Sequence, residues 1–141
     1  MTFPDPSDTE AAFYAAFREL DIDRMGDIWL TAPEVSCVHP GGGLLQGTDA
    51  VLASWKEIFR DTRPPQVEYQ LIQSTTEARL AVHTVEERVI SGSTGRHARV
   101  IATNVYRLIH GSWRMLAHHA SLPLVQPSAV RRPPRPPRPL H

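Results

Sequence analysis

The sequence predicts an α+β fold: a cone-shaped barrel in which three N-terminal helices pack on a curved, mostly antiparallel sheet. Two observations carry this. Apolar residues recur at helical spacing through the first part of the chain, then alternate with polar ones from Val67 onward. The later apolar runs are joined by short separators without helices, which gives neighbouring strands an antiparallel meander. A twisted sheet under three helices leaves one open end, where pockets commonly lie.

Each element has its own signal. Ser7 and Glu10 have capping-box spacing, and Phe13, Ala16, Phe17 and Leu20 give the first helix an apolar face. Asp21 suits the N-cap of a second helix, with Ile22, Met25, Ile28 and Trp29 inward and Pro33 as its limit. A short strand is expected over 34–38. Pro40 pushes His39 out of the α region, and three glycines, 41–43, make a loop. Thr48 is the next expected cap. Val51, Leu52, Trp55, Ile58 and Phe59 form the stripe of a third helix, which Pro64 and Pro65 cannot continue. Strands then follow over 67–71, 79–90, 96–109 and 112–121.

Bulk properties bound the function. The 141 residues suit one domain, and no run approaches the roughly 18 apolar residues of a membrane span. The acidic start, MTFPDPSDTE, has no apolar core of a signal peptide. A single cysteine, Cys37, precludes an internal disulfide and fits a cytoplasmic setting. The net charge of zero hides an asymmetry. Residues 1–127 hold 11 basic against 15 acidic groups, a net of −4, which argues against a nucleic-acid surface. The expected organisation is an N-terminal arm over 1–7, a folded domain over 8–127, and a Pro/Arg-rich tail over 128–141. The tail is expected to be disordered or polyproline II.

Several chemistries lack their motifs. The glycine loop lacks phosphate-cradle spacing, and there is no GxSxG nucleophile elbow. The seven histidines include no HxH or HxxxH pair, so neither a metal nor a cofactor is expected. What remains is a set of polar residues on inward faces. His39 is either a proton acceptor at a pocket mouth or a histidine bonded to loop backbone. On the last strand, Trp113 needs the core, so alternation places Met115 and His119 inside with it and His118 outside. On the strand before it, Asn104 and Tyr106 share the inward face with Val100 and Ala102. Of Glu86 and Glu87 one must face inward, and alternation alone does not say which. Trp29 and Trp55 lie on apolar helix faces, as pocket wall or as plain core. Cys37 reads as a buried free thiol.

Four stretches, FYAAFRELDIDRM, VSCVHPGGGLLQG, VLASWKEIF and NVYRLIHGSWRMLAHHAS, resemble the SnoaL-like branch of the nuclear transport factor 2-like superfamily. Ketosteroid isomerases and polyketide cyclases belong to the same superfamily. The resemblance spans about residues 8–123. It implies a cone-shaped barrel, a homodimer formed through the sheet, and an apolar pocket between sheet and helices. The position matching the isomerases' base carries His39, before Pro40. The position of their acidic donor, opening a DVMRF-like strand, carries Asn104 in NVYRL. The position of their oxyanion tyrosine carries Phe13, with Tyr14 beside it.

The resulting expectation is a pocket that binds a small apolar organic molecule, lined by Phe13, Phe17, Trp29, Trp55 and Tyr106. Any catalysis would be cofactor-free acid–base chemistry of an isomerase or cyclase type. His39 would take the proton, and Asn104 with His119 or Tyr106 would stabilise an oxyanion. The partner set is a small molecule and a second copy of the chain, without nucleic acid or membrane. The alternative is a non-catalytic dimeric module whose cone is filled by side chains.

Overall fold

The computed structural model describes residues 1–60 and 63–122. The expected tail, and the closing of the fold by Pro123 and Pro127, lie outside them.

Helix α1 (Pro6–Glu19) starts one step before the expected capping box. Asp5 is the cap, and its carboxylate accepts from the Ser7 backbone N–H at 3.0 Å. Pro6 suits the first turn because its missing N–H would have no helical partner there. Glu10, freed from the cap, turns into the protein and is buried. The segment ahead of α1 is tied down as well. Phe3 is buried, its N–H donates to Ser112 Oγ at 2.9 Å, and its carbonyl accepts from Trp113 N–H at 2.9 Å. Helix α2 (Ile22–Ile28) is capped by Asp21 as expected, through a bond from Arg24 N–H.

Strand β1 (Ser36–Val38) leads through the glycine loop into β2 (Leu45–Gln46), a two-residue pairing too short for its alternation to be read from sequence. Helix α3 (Thr48–Ile58) is capped by Gly47, not Thr48. Gly47 sits at φ +85°, which suits a residue without Cβ. The Thr48 hydroxyl instead donates to the Leu30 carbonyl at 2.8 Å and accepts from Ala32 N–H at 2.9 Å, pinning α3 to the loop after α2.

Four long strands follow: β3 (Gln66–Glu77), β4 (Leu80–Ile90), β5 (His97–Ile109) and β6 (Ser112–Ser121). They form the expected antiparallel meander. Strand β1 joins β6 in parallel, giving one open sheet in the order β2-β1-β6-β5-β4-β3. The three helices pack on its inner face around Phe13, Met25, Ile28, Trp55 and Met115, all fully buried. Among the described residues, no helix is long and apolar enough to cross a membrane.

One irregularity changes the site. Val105 pairs with Ala117, but Tyr106 pairs with Met115, so Leu116 is an extra residue in β6. This bulge shifts the alternation by one. Trp113 and Met115 face inward as expected. Beyond Leu116 the inward residues are His118 and Ala120. The expectation that His119 is internal and His118 external is therefore reversed. His119 is exposed, and its Nε2 lies 2.9 Å from Ser36 Oγ on the outer face.

Candidate functional site

The inner sheet face carries polar residues where the core would ordinarily be apolar. On β4, Ala81, His83, Val85 and Glu87 are buried, which settles the Glu86/Glu87 ambiguity. Glu86 faces outward and pairs with Arg88 and Arg99. On β5, Asn104 and Tyr106 are inward as expected, and on β6 His118 joins them. Helix α1 adds Glu10 and Tyr14 from above.

These groups form two clusters. In one, Glu10 Oε2 accepts from the Tyr106 hydroxyl at 2.5 Å and lies 2.9 Å from His83 Nδ1. In the other, the Tyr14 hydroxyl donates to Glu87 Oε2 at 2.5 Å, and Asn104 Nδ2 donates to the Tyr14 oxygen at 3.1 Å. Asn104 Oδ1 lies 2.5 Å from His118 Nδ1. His118 Nε2 is 4.0 Å from Glu87 Oε2.

The second cluster borders a cavity of about 170 Å³. Phe17 from α1, Trp55 and Ile58 from α3, and His39 from the β1 exit form one side. Glu87, Val100 and His118 form the sheet side. Among the described residues, the wall is thus apolar except for His39, Glu87 and His118. The buried indole N–H of Trp55 has no hydrogen-bond partner among the described residues.

The surroundings set the protonation states. Burial pushes the Glu87 carboxyl up to about 7, against the lowering effect of the Tyr14 bond. Burial pushes His118 down to about 3, helped by His39 and His119, so its ring is neutral at pH 7. His39 is also lowered by burial. Burial and the neighbouring Glu87 raise the Tyr14 phenol well above its usual value, so it stays a donor. An acid that exchanges its proton near pH 7 therefore faces an uncharged imidazole across the cavity wall.

His39 is half-buried, and its Nε2 lies 2.9 Å from Ser54 Oγ and 3.7 Å from Cys37 Sγ. Ser54 gives its own proton to the Val51 carbonyl at 2.6 Å. Its oxygen is then free to accept from His39, which orients the ring edge-on to Trp55, 4.7 Å between centroids. Burial holds the Cys37 thiol up at about 12, so it is not a thiolate nucleophile.

Of the residues expected from sequence, His39, Phe17 and Trp55 border the cavity. Asn104 stands one layer behind, bonded to His118. Phe13 packs against Tyr14, Trp55 and His118 as core, and Trp29 is core beside it. Tyr106 belongs to the Glu10 cluster, away from the cavity wall. His119 is on the opposite side of the sheet. Sequence reasoning does not assign Glu87, Tyr14, His118 or Ser54 to the site. Among the described residues, no group of three His, Cys, Asp or Glu is placed to hold a metal ion. A larger groove of about 510 Å³ lies by Arg88, His97 and Arg99, but its polar side chains are all exposed. Size alone does not make it the site.

A family model for the SnoaL-like domain matches residues 7–125. The chain belongs to the SnoaL-like domain family. This SnoaL-like chain is similar to a proposed calcium/calmodulin-dependent protein kinase type II association domain from Thiobacillus denitrificans. The two are 34% identical, with 86% of this chain and 98% of that one covered and a TM-score of 0.80. It is also similar to a proposed dehydratase of the NTF2-like family from Streptomyces avermitilis (31% identity, 83% and 92% covered, TM-score 0.77). Among curated proteins it is similar to the F-box protein SKIP8 of Arabidopsis thaliana. That match is 25% identical over 127 residues, 84% of this chain and 49% of that protein, so the chain spans about half of its relative's length.

Proposed function

We propose that the cavity binds a small, largely apolar organic molecule and moves a proton on it without a cofactor. The observation that carries this reading is one apolar wall holding Glu87, poised near neutrality, beside the neutral His118. A carboxyl that is half protonated near pH 7 serves as acid or base with equal ease, and an uncharged imidazole accepts a proton. His39 stands at the rim, its Nε2–H given to Ser54. The cavity is small. An apolar cavity of roughly 150 Å³ holds a benzene molecule, so the guest is of single-ring size. The Streptomyces relative, a proposed dehydratase, would run a reaction of this proton-transfer class.

The test is a thermal-shift screen of single-ring compounds, run on the parent chain and on Ala98→Phe, which fills the cavity from its wall. A ligand at 100 times its dissociation constant raises stability by about 2.7 kcal/mol. The expected result is a shift in the parent that Ala98→Phe loses. No shift with any compound, or shifts that survive the filled cavity, would end the reading.

We also propose that two copies pair through the outer sheet face. Ile101, in the middle of β5, and Leu80, the first residue of β4, are 45% and 40% exposed there. Sedimentation of the parent at twice the monomer mass, and of Ile101→Lys at the monomer mass, is the expected pattern. A monomeric parent would refute it.

A further inference from the structure

The hydrogen bonds behind the cavity all run in one direction, and that direction fixes what the cavity can recognise. Tyr14 has one hydroxyl proton and gives it to Glu87 Oε2. The Tyr14 oxygen therefore accepts, and it does so from Asn104 Nδ2. With its nitrogen turned to Tyr14, the Asn104 carboxamide presents its oxygen to His118 Nδ1 at 2.5 Å. A carboxamide oxygen only accepts, so Nδ1 carries the hydrogen. A neutral imidazole has one N–H, and Nε2 is left with a lone pair.

The chain thus starts at Nε2, which needs a donor, and ends at the Glu87 carboxyl. Oε2 already accepts from Tyr14, so the protonated form carries its proton on Oε1, the other oxygen of the same group. His118 Nε2 is 4.0 Å from Oε2, too far for a direct bond. An oxygen placed between the ring and the carboxyl can bridge them. Only a group that both donates and accepts closes the ring. A hydroxyl does so: it donates to Nε2 and accepts from the Glu87 carboxyl. A carbonyl oxygen lacks the proton. A carboxylate lacks it too, and among the described residues of the cavity wall its charge finds no lysine or arginine.

We infer that the cavity selects a neutral, single-ring alcohol or phenol, held by its hydroxyl between His118 Nε2 and Glu87, with Tyr14 and Asn104 as positioning residues. This rests on the cavity being a binding site, as proposed above, and names the chemistry it recognises.

Two measurements test it. The first is the ¹⁵N signature of the His118 ring in the unaltered protein at pH 6, where the expected state is the neutral tautomer with hydrogen on Nδ1. A ring protonated on Nε2, or on both nitrogens, would overturn the inference without any variant having to fold. The second is binding of phenol, benzene and benzoate at the same pH, followed by shifts of the His118 and Trp55 resonances. Two hydrogen bonds beyond the apolar contact should favour phenol over benzene by at least about tenfold, and benzoate should be weakest. In Asn104→Leu the preference for phenol should disappear while benzene affinity stays. Benzene binding as well as phenol would refute the hydroxyl site and leave the cavity reading standing. Failure of all three probes would remove both.

Discussion

The two buried polar clusters on the inner sheet face are built from similar parts, but the second adds Asn104 and ends differently. Each has a glutamate, a tyrosine and a histidine. In the Glu10 cluster, one carboxylate oxygen faces both Tyr106 and His83, so the tyrosine and the histidine share one acceptor. Neither the 170 Å³ cavity nor the 510 Å³ groove borders them. In the Glu87 cluster the bonds run from His118 through Asn104 and Tyr14 to Glu87 and then stop, 4.0 Å short of closing, at the wall of a cavity. The first cluster fastens α1 to β4 and β5. The second holds the same helix to the sheet but leaves two groups facing a space. Complete networks serve the fold, and an incomplete one beside a cavity is where a guest can bind.

Substitution of the two glutamates gives the widest separation between the clusters. Glu10→Leu leaves the Tyr106 hydroxyl and His83 Nδ1 buried without an acceptor. At about 1–3 kcal/mol for each group, the expected loss is about 4 kcal/mol. Urea unfolding at constant m-value measures it. A loss under about 1 kcal/mol would mean that the cluster rearranges and is not the fastening described here.

Glu87→Gln should behave in the opposite sense, and its effect should depend on pH. The folded carboxyl holds its proton up to about 7, while the unfolded one releases it near 4.5. Between those values the folded state binds more protons than the unfolded one, so the parent loses stability as pH rises through this window. The full loss is about 3 kcal/mol at roughly 1.4 kcal/mol per unit. The carboxamide of the variant has no such proton to lose. Relative to the parent, Glu87→Gln should gain about 3 kcal/mol between pH 4 and pH 9, the window set by those two values. A difference that stays flat with pH would show Glu87 titrating as an ordinary exposed glutamate.

The sequence made the scaffold of this comparison legible but not its working parts. The change from helical spacing to alternation at Val67, and the short separators, were enough for three helices followed by a meander. Alternation along β5 correctly turned Asn104 and Tyr106 inward, because the residues from Val100 to Tyr106 keep an unbroken two-residue period. The same logic failed on β6 at one residue. Leu116 is neither glycine nor proline, and nothing local marks it as a bulge, yet the slip exchanges His118 for His119. Glu87 was hidden by its neighbour, since only the ladder to β5 tells it from Glu86. Tyr14 was hidden by Phe13. Helix α1 lies deep enough under the curled sheet that both adjacent residues are fully buried, a wider face than the stripe that periodicity finds.

The smallest expected effect tests that one-residue slip. His118 and His119 are adjacent and chemically identical in the sequence, and the bulge alone assigns them to different surroundings. His119 is exposed and, among the described residues, bonded to Ser36, so His119→Ala should change stability by no more than about 0.5 kcal/mol and leave phenol binding intact. A loss of phenol binding in His119→Ala would move β6 back into plain alternation and dissolve the Glu87–His118 pair. A loss of stability that shrinks as protein concentration rises has a different meaning. It would place His119 against a second copy across the outer face, where an exposed side chain becomes buried by association.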